Sequence, residues 1–85
     1  DINSLNLIVE KKISQNISCK KIIIEDKTYL HKNHKSHEKN KFHIKLILKS
    51  DELLKMNRIE STKKIYKILD YELKKYIHSI EVLLN

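Results

Sequence analysis

Between Phe42 and Lys49 the chain alternates: Ile44, Leu46 and Leu48 fall on one face, and His43, Lys45 and Lys49 on the other, where Ile47 is the only apolar residue. Successive side chains of an extended strand point to opposite faces, so this period of two predicts a half-buried strand. A half-buried strand needs other strands beside it and a cover over its apolar face. With 85 residues, the chain has length for one small core and not for two, and a single domain over 1–85 is expected.

The cover is legible on either side. Over residues 2–17, Ile2, Leu5, Ile8, Val9, Ile13 and Ile17 recur at helical spacing, which predicts an amphipathic helix with Asn3 or Ser4 as cap. Lys20 to Asp26 carries three consecutive isoleucines, whose β-branched side chains favour a first strand. Lys27 to Lys41, with His31, His34 and His37 among lysines, has no sustained apolar period and reads as a long exposed loop.

After the second strand, Ser50 followed by Asp51 and Glu52 marks the start of a short helix. Asn57 with Glu60 three residues on has the form of a capping box, and Ile65, Ile68, Leu69, Leu73 and Tyr76 continue along one face of a longer helix expected over 58–76. Residues 77–84 alternate again, with His78, Ile80, Val82 and Leu84 against Ser79, Glu81 and Leu83, and predict a third strand. The order is α-β-β-α-α-β: an α+β fold, a three-stranded sheet with helices packed on one face. Its expected core is Ile24, Ile44, Leu46, Leu48, Ile65, Leu69, Leu73, Ile80 and Val82.

Composition narrows the function classes. No apolar run exceeds three residues, against about 20 for a membrane-spanning helix, so no membrane role is expected. One cysteine, Cys19, excludes an internal disulfide and a four-cysteine metal or cluster site, and accords with a reducing, intracellular compartment. Any metal must take most of its protein ligands from His31, His34, His37, His43 and His78. The net charge of +7 sits on a background of 17 lysines, 14 isoleucines and 7 asparagines with no glycine or proline. That is the bias of an AT-rich genome, and it weakens the charge as a sign of a nucleic-acid surface. No serine or cysteine has a fixed base that the sequence identifies, and no carboxylate pair sits in a pocket-like context, so no enzyme is expected.

Several segments together resemble the BolA-like family. Asp26-Lys27-Thr28-Tyr29-Leu30-His31-Lys32-Asn33-His34 is similar to the family's D-x-S-x-x-H-x-x-H, with Thr28 in the serine position. His43 to Asp51 resembles its H-F-x-V-x-I-V-S-x segment. Without a gap, Leu53, Lys55 and Met56 then fall on its F-x-G-L, and Lys63, Ile65, Tyr66, Leu69, Glu72, Leu73, Ile77 and His78 on its R-x-V-Y-x-x-L-x-x-E-L-x-x-x-I-H. The match runs over about residues 20–82. The departures are Ser61-Thr62-Lys63 for an R-H-R triplet, Lys55 and Asn33 for glycines, and Ser79 for the alanine after the late histidine.

The resemblance implies the family's α-β-β-α-α-β fold, which is like that of class II KH domains. It also implies a partnership with a monothiol glutaredoxin through a bridging [2Fe-2S] cluster, in iron-sulfur cluster assembly, trafficking or iron regulation. In that picture a glutaredoxin cysteine and a glutathione thiol hold one iron. A loop residue and the late histidine of the BolA-like chain hold the other, which places His31 and His78 as ligands and His34 as the alternate for His31. The isolated chain is then expected to be a monomer without cofactor, in the cytosol or a mitochondrion.

Other readings compete for the same residues. His31, His34 and His37 form a conceivable zinc set that lacks a fourth ligand. His43, on the polar face of its strand, reads as structural, and Cys19 as a small boundary residue. The rival function is a KH-like nucleic-acid-binding regulator, argued from the charge, from the lysines of the 27–41 loop, from Lys63, Lys64, Lys67, Lys74 and Lys75 on the expected long helix, and from the likeness to class II KH domains. A KH domain clamps the nucleic-acid backbone with a G-x-x-G loop, and a chain with no glycine cannot form one. Any nucleic-acid binding is therefore expected to be weak and non-specific.

Overall fold

The structure, a computed structural model, describes residues 1–31 and 41–85, with residues 30 and 31 described through their backbone. Helix α1 spans Ile2–Asn16. Its cap is Asp1, whose Oδ1 accepts from the Ser4 backbone N at 2.9 Å, so the expected caps Asn3 and Ser4 lie inside the first turn instead. A carboxylate at this position satisfies a free N–H and faces the positive end of the helix dipole. The buried stripe of α1 is a strict four-residue repeat, Leu5, Val9 and Ile13, continued by the C-cap Ile17, while Ile8 of the expected face is exposed.

Strands β1 (Lys21–Asp26) and β2 (Phe42–Lys49) pair antiparallel, Ile22 against Leu48 and Ile24 against Leu46. After β1, Thr28–His31 forms a 3-10 turn. Residues 32–40, which hold the rest of the expected loop, lie outside the described residues. Helix α2 (Asp51–Leu54) starts on Ser50, whose Oγ accepts from the Leu53 backbone N while donating to the Ser18 carbonyl. Asn57 caps α3 (Arg58–Ile68) by a reciprocal pair with Glu60: Oδ1 accepts from the Glu60 backbone N and Nδ2 donates to its carboxylate, both at 2.9 Å.

The helix expected over 58–76 is broken. Leu69, at φ −99° and ψ 19°, separates α3 from α4 (Asp70–Lys75). The change of one residue's dihedrals leaves the apolar spacing intact, so Ile65, one turn before the bend, and Leu69, at the bend itself, are both fully buried. Glu72 is buried as well, and both its carboxylate oxygens accept from Lys12 Nζ at 2.8 Å.

Strand β3 (Ile77–Leu84) returns parallel to β2, giving the sheet order β1-β2-β3. Of the expected core, Ile44, Leu46, Leu48, Ile65, Leu69 and Ile80 are buried, and Ile24, Leu73 and Val82 are half-buried and packed against them. The α1 stripe, Leu53 and Ile77 complete that core. The described residues thus form a small α+β fold with a mixed three-stranded sheet, and its element order fits α-β-β-α-α-β.

Candidate functional site

Ile77 and Ile80 are both buried although they stand three residues apart, which strict alternation along a strand forbids. The register explains it: Phe42 faces Ile77, but the next pair is His43 with Ser79, so β3 carries one extra residue, His78. A bulge of this kind leaves the extra residue out of the ladder and re-aims its side chain. His78 is the bulged residue, half-buried at the end of the sheet where β2 and β3 begin.

Beside it stands His43, with ring centroids 4.8 Å apart and planes inclined by 46°. His43 lies on the polar face of β2 as expected, yet is only 5% exposed. Its Nδ1 and Ser79 Oγ share a hydrogen bond of 2.6 Å. Ser79, one of the departures from the family pattern, therefore has a definite partner. The His43 backbone N donates to Thr28 Oγ1 at 3.1 Å, and its carbonyl accepts from Lys27 N at 2.7 Å. The Thr28 hydroxyl and backbone N both donate to Asp26 Oδ1. Asp26 and Thr28 thus start the 28–31 turn and seat it on His43, which is a physical reason for that spacing of acid and hydroxyl.

Of the expected ligands, His78 is at this sheet end, and the backbone of His31 closes the turn that leaves from it. His34 and His37 lie outside the described residues, so neither the His31–His78 pairing nor the three-histidine zinc set is described. The residue brought next to His78 is His43. Each histidine is the second residue of its strand, and the two strands are paired parallel from their first residues, Phe42 and Ile77, so both histidines come to the same sheet end.

Cys19 is at the opposite end of the sheet, near Ser50 and Glu52, roughly 20 Å of strand away by the usual rise per residue. Burial pushes its thiol up; a hydrogen bond with Ser50 opposes this and the Glu52 charge adds to it. A thiol held protonated is a poor ligand and nucleophile at neutral pH. Among the described residues no group of three or more His, Cys, Asp and Glu is placed to hold a metal ion. Among the described residues this sheet end offers two imidazoles and no thiol, a donor set that could fill part of a shared cluster's ligand sphere.

Ser79 and His43 are also a hydroxyl–imidazole pair, the beginning of a nucleophile and base. Neither lines the groove of about 710 Å³ between α2, α3 and β3, bordered by Leu53, Met56, Tyr66, Ile80 and Val82. Of the five helix lysines in the nucleic-acid reading, Lys64 pairs with Glu52, and Lys74 with Asp70 at 2.9 Å, so two of them face a carboxylate. No helix among the described residues is long and apolar enough to cross a membrane.

Comparison with solved structures finds the same fold elsewhere. The BolA domain of SufE1 from Arabidopsis thaliana superposes with a TM-score of 0.77 at 22% identity, over 93% of this chain and 87% of that one. BolA1 from the same plant gives 0.73 at 20% identity, over 89% and 83%. A bol-like protein from Babesia bovis gives 0.69 at 12% identity, over 92% and 79%. No curated protein sequence matches significantly. The family model described as "BolA-like protein" matches residues 13–84. With that match covering α1 from Ile13 through the last residue of β3, the chain belongs to the BolA-like protein family.

Proposed function

We propose that this chain partners a monothiol glutaredoxin and shares with it a bridging [2Fe-2S] cluster, in cluster assembly, trafficking or iron regulation. The observation that carries the reading is His78 on its bulge, beside a second imidazole, at the sheet end from which the 28–31 turn departs. A [2Fe-2S] centre takes four protein or thiol ligands. This end of the molecule brings imidazoles, and the one thiol of the chain is at the other end. The thiolates therefore come from outside, as a glutaredoxin cysteine and glutathione would supply them.

His78 is the strand-held ligand in this reading, and His31 the loop ligand, with His34 as its alternate. When bound, the cluster supplies one-electron chemistry, and imidazole in place of thiolate raises its potential. The part of this chain is to hold and orient ligands, a carrier's role and not a catalyst's. An intracellular compartment, cytosol or mitochondrion, goes with such a partner.

The test is a titration of the domain with a cluster-loaded monothiol glutaredoxin and glutathione, followed by visible circular dichroism, with duplex DNA in a parallel titration. A mixed-complex spectrum is expected for the wild type and for Cys19→Ser, and its loss for His78→Ala. If His78→Ala keeps the wild-type spectrum and rate of cluster loss, the ligand assignment fails. Sequence-selective DNA binding that survives physiological salt, without a mixed spectrum, would replace the reading altogether.

A further inference from the structure

A bulged residue has given up its place in the ladder, so something other than the sheet must fix where its side chain stands. For His78 one such neighbour is the His43 ring, 4.8 Å away between centroids. His43 is itself tied through its backbone N to Thr28 Oγ1, through its carbonyl to Lys27 N, and through its ring Nδ1 to Ser79 Oγ at 2.6 Å. The third tie returns to the residue directly after His78, so it spans β2 and β3 immediately beside the bulge.

We propose that His43 is a positioning residue for His78, with Ser79 as the clamp that holds the His43 ring in place. The proposal rests on the reading of His78 as a cluster ligand and names what prepares that ligand. A ring that is already ordered loses little conformational freedom when it binds, and a ring that must first be immobilised binds more weakly by that amount. Partners that orient a ligand from outside the coordination shell are worth about 10- to 100-fold in metal affinity. Of the residues involved, Ser79 is the one that can be altered without touching the core, because its side chain is on the exposed face of β3.

The experiment compares Ser79→Ala and Ser79→Thr with the wild type in two states. In the free domain, histidine-selective NMR reads the ring-current shift that His43 imposes on the His78 ring protons. The shift is expected to collapse in Ser79→Ala and to persist in Ser79→Thr, which keeps the hydroxyl, with far-UV circular dichroism unchanged in both. In the mixed complex with glutaredoxin, cluster loss is expected to be roughly tenfold faster for Ser79→Ala and restored in Ser79→Thr. Wild-type ring shifts in Ser79→Ala overturn the clamp, and collapsed shifts with a wild-type cluster lifetime overturn the positioning role. Absence of a mixed complex in the wild type overturns the ligand reading beneath both, and is seen before any variant is made.

Discussion

The ion pair between α1 and α4 gives the sharpest prediction about stability. Both oxygens of Glu72 accept from Lys12 Nζ at 2.8 Å, the glutamate side chain is 3% exposed, and the lysine side chain is 37% exposed. The ammonium also lies 5.9 Å from the centre of the Tyr71 ring. Lys12→Met keeps most of the aliphatic stem and removes the charge, leaving a carboxylate in the core without its counter-ion. Breaking a fully buried pair from one side costs about 3–5 kcal/mol. Because Lys12 is one-third exposed, water reaches the vacated position and the expected cost is lower, about 2–3 kcal/mol. A domain of this size has a total stability of about 4–13 kcal/mol, so the melting temperature should fall by roughly 10–20 °C. The double variant Lys12→Met, Glu72→Met replaces the pair by apolar groups and should recover most of the loss. Urea unfolding at pH 7 measures all three proteins. A single variant within about 0.5 kcal/mol of the wild type, the range of an ordinary surface change, would refute the reasoning, as would a double variant no more stable than the single.

Leu69, fully buried at the bend between α3 and α4, should cost about 2–5 kcal/mol when cut to alanine, read as a shift of the urea midpoint at unchanged slope. The Glu52 carboxyl is held below its usual range, first by the hydrogen bond from Lys64 and then by the one from the Ser18 backbone N. Its folded value is the lower one, so its contribution is present above the ordinary glutamate value of about 4.3 and is lost as the pH falls through the folded value. The stability gap between wild type and Glu52→Gln should accordingly close on acidification, and a gap constant from pH 7 to pH 3 would contradict this.

Features written in neighbouring residues were legible from the sequence. Ser50 and the Asn57–Glu60 box cap the helices they announce, and β2 and β3 have the bounds that their alternation predicts, because caps and strand faces depend on a few adjacent side chains. What stayed hidden depends on partners far along the chain or on single dihedrals. The bend at Leu69 leaves the apolar spacing untouched, and the Lys12–Glu72 pair joins residues 60 apart. His43 shows the limit most clearly. Its face could be read from period two, but a side chain on the polar face can still be buried, and its neighbour was set by the parallel pairing and the bulge. The family pattern includes a histidine at this position, but the ligand picture drawn from it named His78 and the loop and gave His43 no part.

The parallel return of β3 has a consequence in time. His43 and Ser79 are joined across 36 residues of chain, and among the described residues β3 is an edge strand paired with β2. Contacts of such long sequence separation form late in folding, after the local helices, and an edge strand is among the first elements to open in the native state. The imidazole pair therefore comes into being only when β3 docks and is lost whenever it undocks. An incompletely folded chain presents two unrelated histidines, and only the finished fold presents them as a pair.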